Sequence, residues 1–347
     1  MPFNPKYYFT LSFLSLAVLL FSACSVNQKM GRQMEKTFRK SLVVNQYHVG
    51  FALYDLENDK LVYGKNEDKH FTPASNTKLF TFFGGLKMLK DSIPSLRYIE
   101  KGDSLIFWGT GDPSFLQTKL QGINALNFLK SSPRKLFFAS GRYTGPFYGN
   151  GWSWDDYNDY YQAEINELPV MGNLLEIKTF QGKLQVSPKL FATCIVIDSL
   201  ENKKRFSVTR DFNANVFRYP VIAPAANYEQ QVPYKISTAV TLNLLTDTLH
   251  RTVDVIHMEM PQSAKTIYNI NKDSVLKEMM LPSDNFIAEQ LLLVYSDQLS
   301  STLSSQLAIQ HIKDNYLKDM PDKPVWVDGS GLSRANLFTP RSMVALL

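Results

Sequence analysis

The apolar positions of this chain change spacing several times, and each change predicts a different element. An unbroken apolar stretch from Leu11 to Phe21 comes first, behind a single early lysine, Lys6. It is shorter than the roughly 20 residues a spanning helix needs, so it reads as the core of a secretory signal. Between residues 25 and 46 the apolar positions thin out to Met34, Phe38 and Leu42, the spacing of a first helix. Alternation around the polar Glu57-Asn58-Asp59-Lys60 turn then predicts a hairpin of residues 48–54 and 60–64. After Pro73, Leu79, Phe82, Phe83, Leu86 and Leu89 fall at helical intervals, which puts Ser75 at a helix N-terminus.

From Leu96 to Lys265 strand-like runs dominate: DSLIFWG, KLFFAS, LLEIKTF, KLQVSP, TCIVIDS, RFSVTRD, NVFRYPVI and KISTAV, separated by Gly, Pro, Asn and Asp. Helical spacing returns in KDSVLKEMM and NFIAEQLLLVYSDQLSS, and a Gly/Ser loop near residue 330 runs into the start of another helix. Helical segments at both ends of a β-rich block predict an α+β fold. At 347 residues, 44% hydrophobic and 20% charged, the chain is ordinary globular material with ample length for a core.

A net charge of +5 without a basic block, and no nucleic-acid-binding motif, argue against a nucleic-acid partner. Five histidines form no HExxH-type cluster and no zinc-ligand spacing occurs, so no metal is expected. Cys24 directly follows Ser22-Ala23 and resembles the cysteine of a bacterial lipobox. In that reading residues 1–23 are a cleaved signal and Cys24 carries the lipid that anchors the chain to a membrane without spanning it. The other cysteine, Cys194, lies in an apolar strand-like run and is expected as a small buried hydrophobe.

Three Ser-x-x-Lys strings occur: Ser75/Lys78, Ser132/Lys135 and Ser274/Lys277. Residues i and i+3 share a helix face, so the amine can reach the hydroxyl. Pro133 and the strand after it argue against the second, and a serine cap beside a solvated lysine accounts for the third. Lys78 opens a largely apolar helix, where desolvation would lower its pKa and make it a competent base. Ser75 could equally be that helix's cap. Ser283-Asp284-Asn285 stands before the next apolar helix, again where a cap is wanted. Ser-x-x-Lys followed by Ser-Asp-Asn is, however, the order found in penicillin-interacting serine enzymes. Ser283 follows Ser75 by 208 positions, room for the β-rich block between two halves of one domain.

Taken with GTGDPSF (109–115), GWSWDDYNDYYQAEINEL (151–168) and DGSGLSRANLFTP (328–340), these motifs resemble the D-alanyl-D-alanine carboxypeptidase/endopeptidases of the class C low-molecular-mass penicillin-binding proteins. The resemblance spans nearly all of the chain after Cys24. It implies a penicillin-binding/β-lactamase-like transpeptidase domain, residues 24–96 and 266–347, split by a β-rich insertion, residues 97–265. Ser75 would acylate, Lys78 take its proton, Ser283 relay a proton to the leaving amine and Asn285 hydrogen-bond the substrate amide. The backbone N–H of Ser75 would supply half of an oxyanion hole. Peptidoglycan stem peptides and β-lactams are the implied partners, with no cofactor. Glu164 and Glu167 superficially resemble a deacylating glutamate, but their segment fits the Trp-x-Trp-Asp-Asp block. The family's third motif, Lys-Thr-Gly, should follow residues 328–333 and is absent; Lys265-Thr266 precedes Ser283 and is followed by Ile. The expectation is a piece of a longer, active parent rather than a naturally shortened relative.

Overall fold

The structure, a computed structural model, describes residues 26–199 and 204–347. The signal segment and Cys24 lie outside the described residues. The chain divides into two compact units: one of residues up to Thr72 with 319–324 and 337–347, the other of residues 73–318 and 325–336.

In the first unit a helix over residues 26–40 (α1) is followed by Leu42–Gln46 (α2), whose cap, Ser41, accepts from the Val44 N–H. Phe51–Asp55 (β1) and Lys60–Lys65 (β2) form the expected antiparallel hairpin. Phe38 of α1 packs on Phe51 and Tyr63, with centroids 5.0 and 5.4 Å away, so the helix closes one face of the two-stranded sheet. A two-stranded sheet is marginal alone, and this aromatic cluster supplies its missing layer. The C-terminal helix Pro340–Leu346 begins on Thr339, whose hydroxyl accepts from the Ser342 N–H.

In the second unit a 3-10 turn, Ala74–Thr77, leads into α3, Lys78–Met88. Then come β3 (Ser92–Lys101), β4 (Ser104–Gly109), α4 (Asn124–Ser131) and β5 (Lys135–Ala139). They are followed by β6 (Leu174–Phe180), β7 (Lys183–Ser187), β8 (Ile195–Asp198), β9 (Thr209–Arg210), β10 (Phe217–Pro220) and β11 (Glu229–Pro233). The unit continues with α5 (Thr238–Leu249), β12 (Val253–Ile256), β13 (Lys265–Asn271), α6 (Lys272–Met280), α7 (Asn285–Asp297) and α8 (Ser305–Tyr316). Five strands pair in the order β12-β5-β4-β3-β13, and two three-stranded sheets run β11-β6-β7 and β8-β10-β9. The β4/β5 and β5/β12 pairs are parallel, which requires crossovers, and α4 and α5 lie within them. The result is an α+β fold, as expected.

Several local expectations change. KISTAV is not a strand: Ser237 caps α5 by accepting from the Val240 N–H, and the Val/Leu run beyond it packs as a helix. The helix α4 falls inside the block expected to be strands; its Ala125 and Leu129 are fully buried one turn apart. Only Thr209–Arg210 of RFSVTRD pairs in a sheet. Cys194 ends a 3-10 turn, Lys189–Cys194, and is half-buried. Asn271, not Ser274, caps α6.

The face of α3 is also different. Leu86 is exposed, while the buried face is Lys78, Phe80, Thr81, Gly84 and Gly85. A Cβ at Gly84 would stand 2.7 Å from Ile312 Cδ1 and 3.0 Å from the Tyr295 ring; at Gly85 it would stand 2.8 Å from Leu276 Cδ2 and from the Tyr295 hydroxyl. The two glycines bring α3 close to α7, a contact that apolar periodicity does not reveal. Every residue of α7 from Phe286 to Asp297 is buried, as a helix apolar nearly all round requires.

Candidate active site

Three segments of the second unit converge: the Ala74–Thr77 turn with the first turn of α3, the start of α7, and the loop 328–331. Lys78, 1% exposed, lies at their centre. Its Nζ donates to Ser75 Oγ at 3.1 Å, Asn285 Oδ1 at 2.6 Å and the Ser330 carbonyl at 2.9 Å. An ammonium has three donors, so all are placed. Burial brings the amine from its ordinary 10.5 down to about 8, while Glu289, Asp284 and Asp328 pull the other way.

Ser75 is solvent-exposed, one residue after Ala74, whose φ of 48° is left-handed. A non-glycine residue there is strained, and the strain turns the serine out of the chain's path. Ser75 is not the helix cap: Thr77 occupies that position, without a side-chain cap bond. The Ser75 N–H belongs to the first turn, where amide donors have no intrahelical partner.

At the second motif Asp284 is the cap, accepting from the Ile287 N–H at 2.9 Å. This leaves Asn285 as the first helical residue, with Oδ1 on Lys78 and one amide hydrogen on the Tyr161 carbonyl at 3.2 Å. Its second amide hydrogen remains for a ligand. Ser283 has a φ of 62° and is exposed; its side chain makes no hydrogen bond among the described residues. Ser75, Lys78 and Asn285 are thus one hydrogen-bonded set, and Ser283 stands two residues from it.

Sequence reasoning missed the residues that hold the third segment. Glu289, one turn along α7 from Asn285 and 2% exposed, accepts from the Gly329 N–H at 3.1 Å and the Ser330 N–H at 2.7 Å. The Gly329 carbonyl accepts from Thr81 Oγ1 at 2.7 Å. Burial, followed by the neighbouring Asp328 charge, raises the Glu289 carboxyl above its ordinary range. Asp328 in turn accepts from the N–H groups of Gly331 and Ser333, from Asn336 Nδ2 and from Trp152 Nε1. The loop is pinned from α3 and α7 together, so its Ser330 carbonyl faces Lys78. Two signals were legible: Glu289 sits at i+4 from Asn285, on the same face, and DGSG is a tight-turn string.

Glu164 and Glu167 are structural carboxylates. Glu167 accepts from the N–H groups of Gly141, Arg142 and Tyr143, and Glu164 from the Ile236 N–H and the Tyr148 hydroxyl. Among the described residues no group of His, Cys, Asp and Glu could hold a metal.

A serine hydroxyl on the amine of a buried, lysine-opened helix, with an Asn at a second helix start, is an arrangement suited to acyl transfer. The sequence model of the D-Ala-D-Ala carboxypeptidase 3 (S13) family matches residues 32–347. The chain belongs to this family, and it is a low-molecular-mass penicillin-binding protein of the D-Ala-D-Ala carboxypeptidase class. It is 25% identical to D-alanyl-D-alanine carboxypeptidase DacB of Haemophilus influenzae, over 86% of this chain and 70% of that protein. Among solved structures it is similar to penicillin binding protein 4 (dacB) from Haemophilus influenzae, with a TM-score of 0.66 at 18% identity, over 86% of this chain and 74% of that one. The same protein complexed with a novel beta-lactam aligns with a TM-score of 0.60 at 17% identity, over 86% and 73%.

Proposed function

We propose that the chain is a lipid-anchored, periplasm-facing serine D-Ala-D-Ala carboxypeptidase/endopeptidase that cleaves peptidoglycan stem peptides through an acyl-enzyme on Ser75. The observation that carries this is the Lys78 amine, buried, held near a pKa of about 8 and 3.1 Å from Ser75 Oγ. Neutral Lys78 takes the hydroxyl proton as Ser75 attacks the carbonyl between two D-alanines. Asn285 keeps Lys78 in place and offers its remaining amide hydrogen to the substrate. Ser283, exposed and two residues before Asn285, passes a proton to the departing D-alanine amine. Water then resolves the ester. A β-lactam enters the same path and stays as the acyl-enzyme, which makes the enzyme penicillin-sensitive. The catalytic domain is assigned to residues 24–96 and 266–347, with 97–265 inserted.

The sequence contains no Lys-Thr-Gly, the motif that would add a second oxyanion donor and a cation for the substrate carboxylate. One rival reading is a non-catalytic cell-wall-binding lipoprotein of the same fold. Fluorescent penicillin, applied to the protein as its native host makes it, separates the two. Labelling that disappears in Ser75→Ala and Lys78→Met supports the enzyme; a folded, unlabelled wild type overturns it. For the anchor, labelled palmitate should tag wild type and not Cys24→Ala. Equal tagging of both would remove the lipid assignment.

A further inference from the structure

The net positive charge of the first unit is concentrated on one helix. α1 carries Lys29, Arg32, Lys36, Arg39 and Lys40 against a single acid, Glu35, a net +4 in a chain whose total is +5. Its inward side is set by Asn27, Gly31, Met34 and Phe38, which are half-buried; a Cβ at Gly31 would stand 2.9 Å from the Val62 carbonyl, and Phe38 lies on Phe51 and Tyr63. At 100° per residue all five cations fall on the opposite side, and all five are exposed. None of them takes part in an ion pair recorded among the described residues. A solvated helix face ordinarily interleaves both signs; this one does not.

Two more features share this surface. Arg32, Lys36 and Arg39 line one wall of a cavity of about 580 Å³ in the groove between α1 and β2, with Glu35, Gly31, Val62 and Tyr63. Directly after α1, Leu42, Val43 and Tyr47 are 79%, 64% and 68% exposed. A row of cations about 17 Å long followed by an exposed apolar edge is the combination that lies on a charged bilayer. The described part of α1 begins at Val26, two positions after Cys24, the proposed lipid site, which would hold it within reach of the membrane.

We propose that the outward face of α1, with the Leu42–Tyr47 edge, is a docking surface for anionic phospholipid that lays the first unit against its membrane. The cations neutralise phosphate headgroups, with the α1 cavity receiving one of them, and Leu42, Val43 and Tyr47 enter the headgroup region. This rests on the proposed envelope location but not on the lipid itself, so the test omits the lipid.

The mature chain beginning at residue 24, with Cys24→Ser, is sedimented with vesicles of phosphatidylcholine alone or with 40% phosphatidylglycerol. Binding should require the anionic lipid and fall steeply between about 0.05 and 0.2 M salt. Lys29→Glu, Lys36→Glu and Lys40→Glu together should weaken it by roughly tenfold or more, with an unchanged thermal midpoint because the three side chains are exposed. Leu42→Ser with Val43→Ser should weaken binding while leaving its salt dependence. Equal binding to neutral vesicles, wild-type binding by the triple-Glu variant, or preference for purified peptidoglycan over anionic vesicles would each overturn the proposal. Failure of palmitate tagging at Cys24 removes the anchor and leaves these vesicle results unaffected.

Discussion

Lys78 is where burial turns into chemistry. Desolvation lowers its amine from 10.5 to about 8, so the folded chain gives up this proton before the unfolded chain does. Between those two values the unfolded state binds more protons. The group's contribution to stability therefore rises with pH across the window, and is lost as pH falls through about 8. In the proposed mechanism acylation needs the neutral amine. Its rate constant with fluorescent penicillin should climb about tenfold per pH unit below 8 and level off above. A flat profile from pH 6 to 9 would show that Lys78 is not the base.

Among the elements, the loop 328–331 depends most on backbone shape. Gly331 has φ of 85°, and a Cβ there would lie 1.8 Å from the Ala74 carbonyl oxygen and 2.9 Å from Thr77 Oγ1. Only glycine lets this loop touch the Ser75 turn. Gly331→Ala should push the loop outward, take the Ser330 carbonyl from Lys78 and cut penicillin labelling by a hundredfold or so, with about 1–3 kcal/mol of stability lost. Wild-type labelling in that variant would mean the Ser330 carbonyl has no part in placing the amine. The close approach of α3 to α7 follows the same logic at Gly84 and Gly85. An apolar-periodicity reading of α3 selects Leu86 instead because it scores side chains, and here the contact is made where side chains are missing.

Across the whole molecule, one buried charge cluster ties together segments far apart in sequence. Asp297, at the end of α7, pairs with Arg97 of β3 at 2.7 Å and Arg142 at 2.8 Å, and Arg142 also donates to the Gly109, Ser300 and Ser301 carbonyls. Removing one partner of such a set leaves charge and carbonyls unmatched. Arg142→Met should cost about 3 kcal/mol by chemical denaturation, while the folded fraction is still labelled by penicillin at the wild-type rate. A denaturation midpoint equal to wild type would refute a structural role for the cluster. Nothing in the sequence marks these three residues as a group, since charge pairing over 200 positions leaves no local pattern.

What the sequence determined by itself is local. Ser75 and Lys78 share a helix start because three residues make one turn, Ser283-Asp284-Asn285 opens α7 because Asp284 can cap it, and the hairpin follows its alternation. The tertiary structure decided the rest: that Asn285 rather than Ser283 meets Lys78, that Glu289 and Thr81 hold the loop facing it, and that Ser75 presents its hydroxyl to an amine instead of capping a helix. Each of those depends on which faces are brought together and on what burial does to a charge, and neither is written in the neighbouring residues.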